Sequence, residues 1–356
     1  MQVIGIDIGF GFTKATDGKR YRVFKSIYGE AVEFQYQEAL LGDNEGVEHL
    51  QLDVDGSAYF IGELAERQSS SRQFTLEQNQ FVASASKVLA LAAMSCFLQE
   101  RQQGVHLVVG LPIGHYRQYK SELAGLLRAT HDIVVTNAMG ERKEVRIAVT
   151  DVRVIPQPIG SVMDRLLDNN GRAADRRFAM EKIGVIDVGF RTTDYTISDK
   201  TRYSERGSMT TQNGIAKAFG TIAAKLKENC GINVELYRLF EAVETGSIKI
   251  RGKGYDLKKI TQHAFQQLAQ NIAADANRIW ADDWDIDSIM ITGGGGAVLA
   301  AHLQPLLEGV IIPMEQDLDY RLHNVRGYYK FGNHTWPSAR MLGQAAAEAD
   351  DGASAA

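Results

Sequence analysis

The sequence predicts an α/β protein built from two related halves, and three observations carry that prediction. Apolar, strand-like runs alternate with amphipathic helical stretches along the chain. The opening stretch "VIGIDIGFGFT", from Val3, returns in mid-chain as "KIGVIDVGFRTT"; Ile6 to Thr13 and Ile186 to Thr193 share the pattern Ile-Asp-x-Gly-Phe-x-x-Thr. Each copy also opens a strand–turn–strand unit, so a fold is repeated and not a motif alone. Finally, 356 residues exceed what one simple core organises, and two domains are expected.

In chain order, residues 2–9 read as a buried strand closed by Asp7 and Gly9. "FTKATDGKRYRVFKSIYG" supplies two more strands joined at Asp17-Gly18, a hairpin-turn dipeptide. A polar, irregular stretch runs to about residue 80, with a second hairpin signal at Asp55-Gly56 inside "LDVDGSAYFIGELA". Residues 82–100 are a helix on Val88, Leu91, Ala92, Phe97 and Leu98. "HLVVGLP" (His106 to Pro112) is a buried strand followed by a helix over 115–129, then by strands over 132–137 and 144–155 with a turn at Gly140. "PQPIGSVMDRLL" leads into a helix, and after a charged loop the second Asp-x-Gly strand covers 183–189. "TDYTISDK" and "TRYSERGSM" repeat the strand–turn–strand order. An amphipathic helix over 215–229 aligns Ile215, Phe219, Ile222, Ala223 and Leu226; a longer one over 258–281 uses Phe265, Leu268, Ile272, Ala276 and Ile279. "DSIMITGGGGAVLAAHL" is a strand, a four-glycine loop and a helix, and the tail "AEADDGASAA" is small, polar and expected to fray.

Composition narrows the function. A net charge of −5 argues against coating nucleic acid by electrostatics, and the one basic stretch, "KRYRVFK" (Lys19 to Lys25), reads as a solvated strand face. Two cysteines, Cys96 and Cys230, lack CxxC spacing, which disfavours a zinc site or a disulfide framework and suits a reducing cytoplasm. With no signal peptide before Val3 and no apolar run of about 18 residues, a cytoplasmic protein without membrane contact is expected.

The chemistry lies in three loops. A glycine at a strand end lets backbone N–H groups approach an anion, and an aspartate held there can bind Mg2+ directly or through its waters. Asp7-Ile8-Gly9 and Asp187-Val188-Gly189 meet that description twice. Gly293 to Gly296 let a backbone pass against a flat ligand while a helix begins behind it. No Lys-Ser/Thr follows these glycines and the GxGxxG pattern is absent, which disfavours P-loop NTPases and nicotinamide dehydrogenases.

Asp-x-Gly near the N-terminus, a second Asp-x-Gly in mid-chain and a late glycine-rich turn resemble the actin/sugar-kinase/chaperone ATPase superfamily. Within it, "GIDIGFGFTK", "VDGSAYFIGELA", "VVGLPIGHY", "VIPQPIGS", "GVIDVGFRTTDYT", "ITGGGG" and "NVRGYYKFG" are similar to the bacterial and archaeal actin-like group of ParM (StbA) type, over about residues 2–345. The resemblance implies two duplicated ribonuclease-H-like (actin-like) domains flanking a nucleotide cleft: residues 1–157 with 325–348, residues 158–324, and a disordered tail over 349–356. The crossings fall near Pro156 to Ser161 and at Asn324 to Gly327.

It also implies roles. Asp7 and Asp187 hold Mg2+, through water, and face each other across the hinge with ATP (or GTP) between them. Gly9, Phe10 and Gly11 offer main-chain N–H groups to the β-phosphate, since Phe10 replaces the usual hydroxyl residue, and Lys14 reaches the phosphates. Gly189, Phe190, Arg191 and Thr192 wrap the outer phosphates, while Asp194 supports the loop. For Arg191 two readings stay open: stabilising γ-phosphate charge, or pointing outward. Gln157, in "IPQPIG", stands where actin has a glutamine and ParM a glutamate that position the attacking water; an amide there implies slow hydrolysis. Its alternative is a loop glutamine between two prolines. Gly214 approaches the ribose, Lys227 and Glu228 the adenine, with Gly293, Gly294, Gly295 and Gly296 completing the nucleotide site.

The function expected on this resemblance is a filament-forming ATPase whose hydrolysis weakens a head-to-tail polymer. It would act in plasmid or other DNA segregation through a DNA-binding adaptor, without direct nucleic-acid contact. A monomeric small-molecule kinase or phosphohydrolase is the alternative, but it needs a carboxylate base where "IPQPIG" offers an amide. A chaperone-type switch needs a further domain.

Overall fold

The computed structural model describes residues 1–31, 50–74, 83–98, 102–137, 140–315 and 319–337. The ends of the helix expected over 82–100, the return of the first domain beyond residue 337 and the tail over 349–356 lie outside the described residues. The chain divides into two compact units, Met1–Arg176 with Asn324–Ala356, and Arg177–His323.

The first unit runs β1 (Gln2–Ile8), β2 (Phe12–Thr16), β3 (Tyr21–Lys25), β4 (Ile27–Glu30), β5 (Leu50–Val54), β6 (Ser57–Ile61), α1 (Glu63–Gln68), β7 (Arg72–Phe74) and α2 (Ala83–Ser95). It continues with β8 (Gln102–Leu111), α3 (Ile113–Leu127), β9 (Thr130–Thr136), β10 (Arg142–Pro156) and α4 (Gln157–Leu166). Its strands form one ten-stranded sheet in the order β3-β2-β1-β8-β10-β9-β5-β6-β4-β7. Both hairpin signals hold. Asp55 and Gly56 take φ of 52° and 81°, the positive pair a two-residue turn requires, and Asp17 Oδ1 accepts the N–H groups of Lys19 and Arg20. The stretch expected to be irregular up to residue 80 instead holds α1 and β7 as well, and the segment before it a third strand, β4. Elements of three to six residues show too few periods to be seen in a sequence.

β1 is buried on both faces, hence its continuous apolar run. Ile4 and Ile6 enter a core shared with Leu89, Leu91 and Met94 of α2 and with Leu107 and Val109 of β8. The opposite face carries Gly5, where an added Cβ would lie 2.8 Å from the carbonyl oxygen of Val325.

The second unit runs α5 (Arg177–Met180), β11 (Lys182–Val188), β12 (Thr193–Asp199), β13 (Arg202–Thr211), α6 (Ile215–Cys230), α7 (Leu239–Thr245), β14 (Ser247–Ile250), β15 (Lys253–Asp256), α8 (Lys258–Ile279), β16 (Ser288–Thr292) and α9 (Gly293–Leu303). From Asn324 onward, α10 (His323–Thr335) belongs to the first unit. The four-stranded order β13-β12-β11-β16 repeats β3-β2-β1-β8: a central strand antiparallel to its hairpin partner and parallel to the neighbour beyond. The register repeats too. Asp7 pairs with Lys14 and Asp187 with Asp194, Ile8 with Thr13 and Val188 with Thr193, each residue displaced by 180 in the chain.

The contact boundary falls after Arg176, not after Gln157. α4 stays with the first unit because its polar groups are answered there. Ser161 donates from N and Oγ to Asn324 Oδ1 at 3.1 and 2.7 Å, and buried Asp164 takes Arg326 and Lys330 at 2.8 Å each. Among the described residues, no helix is long and apolar enough to cross a membrane.

Candidate functional site

Each unit carries a loop at the end of its central strand. In the first, β1 delivers Asp7 to a position only 4% exposed. Lys14, its register partner on β2, reaches back to Asp7 Oδ2 at 3.0 Å. Gln157, the first residue of α4, donates through Nε2 to Asp7 Oδ1, also at 3.0 Å. Three residues separated by up to 150 positions thus meet on one carboxylate.

The loop between β1 and β2 is fixed from within. Gly9 N donates to Phe12 O at 3.1 Å and Ser26 N to Gly11 O at 3.0 Å, while Ser26 Oγ, bonded to Thr13 Oγ1, donates to Gly9 O at 2.7 Å. Gly9 admits no side chain, because its Cβ would stand 2.9 Å from Phe12 O and 3.1 Å from Lys14 Nζ. Gln157 is held in turn: Tyr328, fully buried on α10, donates its hydroxyl to Gln157 O at 3.3 Å. Sequence reasoning missed both Ser26 and Tyr328. Ser26 lies beyond the motif, and Tyr328 is brought in by a helix from the far end of the chain.

In the second unit β11 delivers Asp187, 7% exposed, to the matching place. Gly189 N donates to Thr192 O at 2.9 Å, the counterpart of the Gly9–Phe12 bond. The start of α6 then caps this loop, with Gly214 N donating to Arg191 O at 3.0 Å, Ile215 N to Gly189 O at 3.1 Å and Ala216 N to Phe190 O at 2.7 Å. Phe190 turns its ring inward, against Phe219 and Phe240 at centroid distances of 6.0 and 5.1 Å, and leaves only its main chain to the loop. Arg191 is half-buried. Asp194 is buried and accepts a hydrogen bond from Thr210 Oγ1 of the neighbouring strand β13.

The glycine run differs from expectation. Gly293 to Gly296 are not a loop before a helix but the first turn of α9 itself, starting directly after extended Thr292. Close packing demands two of them. A Cβ on Gly293, whose φ is 82°, would lie 2.3 Å from Asp187 Oδ1, and one on Gly295 would lie 2.8 Å from Val188 Cγ1. Gly294 faces the Arg321 side chain and Gly296 faces Ile291. Gly214 likewise meets protein, since its Cβ would stand 2.3 Å from the carbonyl carbon of Arg191. Lys227 and Glu228 are exposed near the far end of α6, about 20 Å along the helix from Gly214. They do not join the loop, and Glu228 pairs with Lys225 at 2.5 Å.

The structure therefore gathers Asp7, Gly9, Lys14 and Gln157 in one unit, and Asp187, Gly189 to Thr192, Gly214, Gly293 and Gly295 in the other. Each set, taken by itself, has chemistry that a magnesium nucleotide accepts. Each loop offers one carboxylate suited to Mg2+ beside a glycine without a Cβ, Gly9 in one and Gly189 in the other, and Lys14 adds a cation suited to phosphate. Among the described residues no group of three or more His, Cys, Asp or Glu side chains forms a metal cage. One carboxylate per loop matches an ion that keeps waters and takes phosphate oxygens.

Residues 5–160 match the family model of the N-terminal domain of actin-like proteins, and residues 185–305 match that of the C-terminal domain of the archaeal, MreB-like actin homologue. Among solved structures, the chain is similar to a non-polymerisable quadruple mutant of pCBH ParM, with 26% identity, a TM-score of 0.72, and 93% of this chain and 98% of that one covered. It is similar to ParM in a 15-stranded filament from Clostridium botulinum, with 25% identity, a TM-score of 0.76 and the same shares covered. It shares its fold with Ta0583, an archaeal actin homologue, in complex with ADP, at 19% identity and a TM-score of 0.73, with 92% of this chain and 98% of that one covered. No curated protein matches the chain. The paired domain matches, the duplicated sheet and the ParM likeness over nearly the whole chain place this protein in the actin-like family, as a member of ParM type.

Proposed function

We propose that this actin-like protein is an ATPase that binds Mg-ATP through the Asp7 and Asp187 loops and assembles head to tail into filaments. Hydrolysis is slow, with Gln157 orienting the attacking water, and it weakens the polymer. The observation that carries the reading is the repeated register: both strand ends present an aspartate seven positions before its hairpin partner, with a Gly two residues on and an internally bonded loop. Each such loop is suited to one phosphate group, and the chain carries two in the same register.

Each residue has a task in this reading. Asp7 and Asp187 orient the waters of Mg2+, which supplies charge neutralisation on the phosphates when bound. Lys14, on the carboxylate of Asp7, presents its ammonium to phosphate. Phe10 and Gly11, and Phe190 to Thr192, meet phosphate oxygens by main chain alone, because the N–H groups of Gly9 and Gly189 are engaged within their own loops. The Gln157 amide shares Asp7 and orients water without serving as a base. A small-molecule kinase would need a carboxylate in that place. The filament serves DNA segregation, reached through a DNA-binding adaptor, as the ParM likeness suggests.

Sedimentation and light scattering with ATP, GTP and a non-hydrolysable analogue test this reading. Pelleting that requires nucleotide, persists with the analogue and reverses after ATP turnover supports it. A protein that stays monomeric with each nucleotide and phosphorylates a sugar would overturn it; pelleting with GTP alone would change the nucleotide and keep the filament.

A further inference from the structure

The second unit is electrically polarised along α8. That helix has 22 residues, about 33 Å of rise, and opposite charges gather beyond its two ends. At its start, residues 247–259 hold five basic residues (Lys249, Arg251, Lys253, Lys258 and Lys259) against one acidic, Asp256. The β14–β15 hairpin that carries three of them is solvated. Arg251 and Gly252 form its tip at φ of 49° and 83°, and a Cβ added to Gly252 or Gly254 would meet no atom within 4 Å. Beyond its end, residues 281–287 hold Asp282, Asp283, Asp285 and Asp287 and no basic residue. Both placements oppose the helix macrodipole, which favours acids at the start and bases at the end. Asp283 and Asp285 are answered within the unit by Lys182 and Arg206, so the complementary pattern rests on the basic start of α8 and on the surplus of acid at its end.

At the acidic end stands Trp284, 90% exposed. The loop carrying it is tied down on both sides of the indole. Asp283 Oδ1 accepts Lys182 Nζ at 2.9 Å and Arg206 Nη2 at 2.5 Å, while Asp285 takes the same lysine at 2.5 Å. Asp287 Oδ2 accepts Lys182 N at 2.7 Å, and Asp287 N returns to Lys182 O at 2.9 Å. A bare tryptophan on a fixed loop has the profile of an interface anchor, with large apolar area and little entropy left to lose. Its ring face also attracts Arg and Lys, the residues that crowd the other end of the same unit.

We propose that Trp284, with the exposed Asp282 and Asp285 beside it, docks on the β14–β15 hairpin and the first turn of α8 in a second copy of this chain. The two faces differ and lie at opposite ends of one unit, so the contact is heterologous and repeats without closing. This assignment rests on the filament reading and names the surfaces that build it.

The full-length chain tests it by nucleotide-dependent sedimentation. Trp284→Ala is expected to raise the concentration needed for pelleting at least ~tenfold, as loss of an anchor does, with nucleotide affinity and far-ultraviolet circular dichroism unchanged. The double variant Arg251→Glu, Lys253→Glu, altered at the other face, is expected to fail alike. Each retains one intact face, so mixing the two should yield dimers in sedimentation velocity and no polymer. Wild-type pelleting with both variants pelleting equally well overturns this interface while leaving the filament intact. A wild type that never pellets removes the filament reading and this interface with it.

Discussion

Gln157 donates through Nε2 to Oδ1 of Asp7 at 3.0 Å, both side chains buried, while Lys14 occupies the other oxygen of the same carboxylate at the same distance. The glutamine expected to orient water is thus also the residue that fixes the aspartate expected to organise the metal. This coupling shapes the first prediction. Gln157→Ala should keep nucleotide affinity within about threefold and cut turnover at least ~tenfold, the range of a positioned group in a transition state. Phosphate release under saturating nucleotide measures it, and unchanged turnover rejects the role.

Lys14→Ala leaves the Asp7 carboxylate buried with only the amide of Gln157 beside it. Breaking a buried pair in this way costs about 3 kcal/mol, so a lower Tm is expected together with weaker nucleotide binding. The double variant Asp7→Asn, Lys14→Ala should regain part of the stability, because no unpaired charge remains, and none of the binding. Thermal melts and nucleotide titration separate the two effects.

Gly293→Ala should disturb the Asp187 loop, since its Cβ would fall 2.3 Å from Asp187 Oδ1 at a φ of 82°. Both nucleotide affinity and Tm are expected to drop. Gly220→Ala on α6 is the contrasting case. It sits in a helix interior with nothing within 4 Å of its Cβ, and should stabilise by about 0.5–1 kcal/mol. Equal effects at the two glycines would refute the packing argument.

From its buried place on α4, Asp164 accepts Arg326 Nε on Oδ2 at 2.8 Å and Lys330 Nζ on its main-chain carbonyl at 2.6 Å, and its carboxylate is ion-paired with both cations of α10. Asp164→Ala removes the carboxylate from two little-exposed cations, leaving Lys330 only the main-chain carbonyl, at a cost of about 3 kcal/mol. Differential scanning calorimetry should show the loss. Because α10 also presents Tyr328 to Gln157, turnover should fall by more than nucleotide affinity does.

Much of the site was legible because it is local. Asp7, Gly9 and Lys14 fall within eight residues, and an apolar strand followed by Asp-x-Gly announces its own geometry. The hairpins at Asp17-Gly18 and Asp55-Gly56 were readable for the same reason. The task of the late glycines was not. Gly293 and Gly295 pack against the end of β11 more than a hundred positions away, and their sequence shows only that no Cβ is tolerated.

By itself, then, the sequence determined the two-fold repeat of the sheet, the burial of β1 and β11, and the placing of one aspartate at each strand end. Strand periodicity and turn chemistry act over a few residues, and a repeated sequence folds to a repeated register. Only the tertiary structure decided that Gln157 reaches the carboxylate of Asp7, that α4 belongs with the first unit, and that Tyr328 braces the glutamine from α10. Those outcomes depend on which buried polar group meets which partner across a hundred residues or more. That choice is made by desolvation and packing, and no local pattern records it.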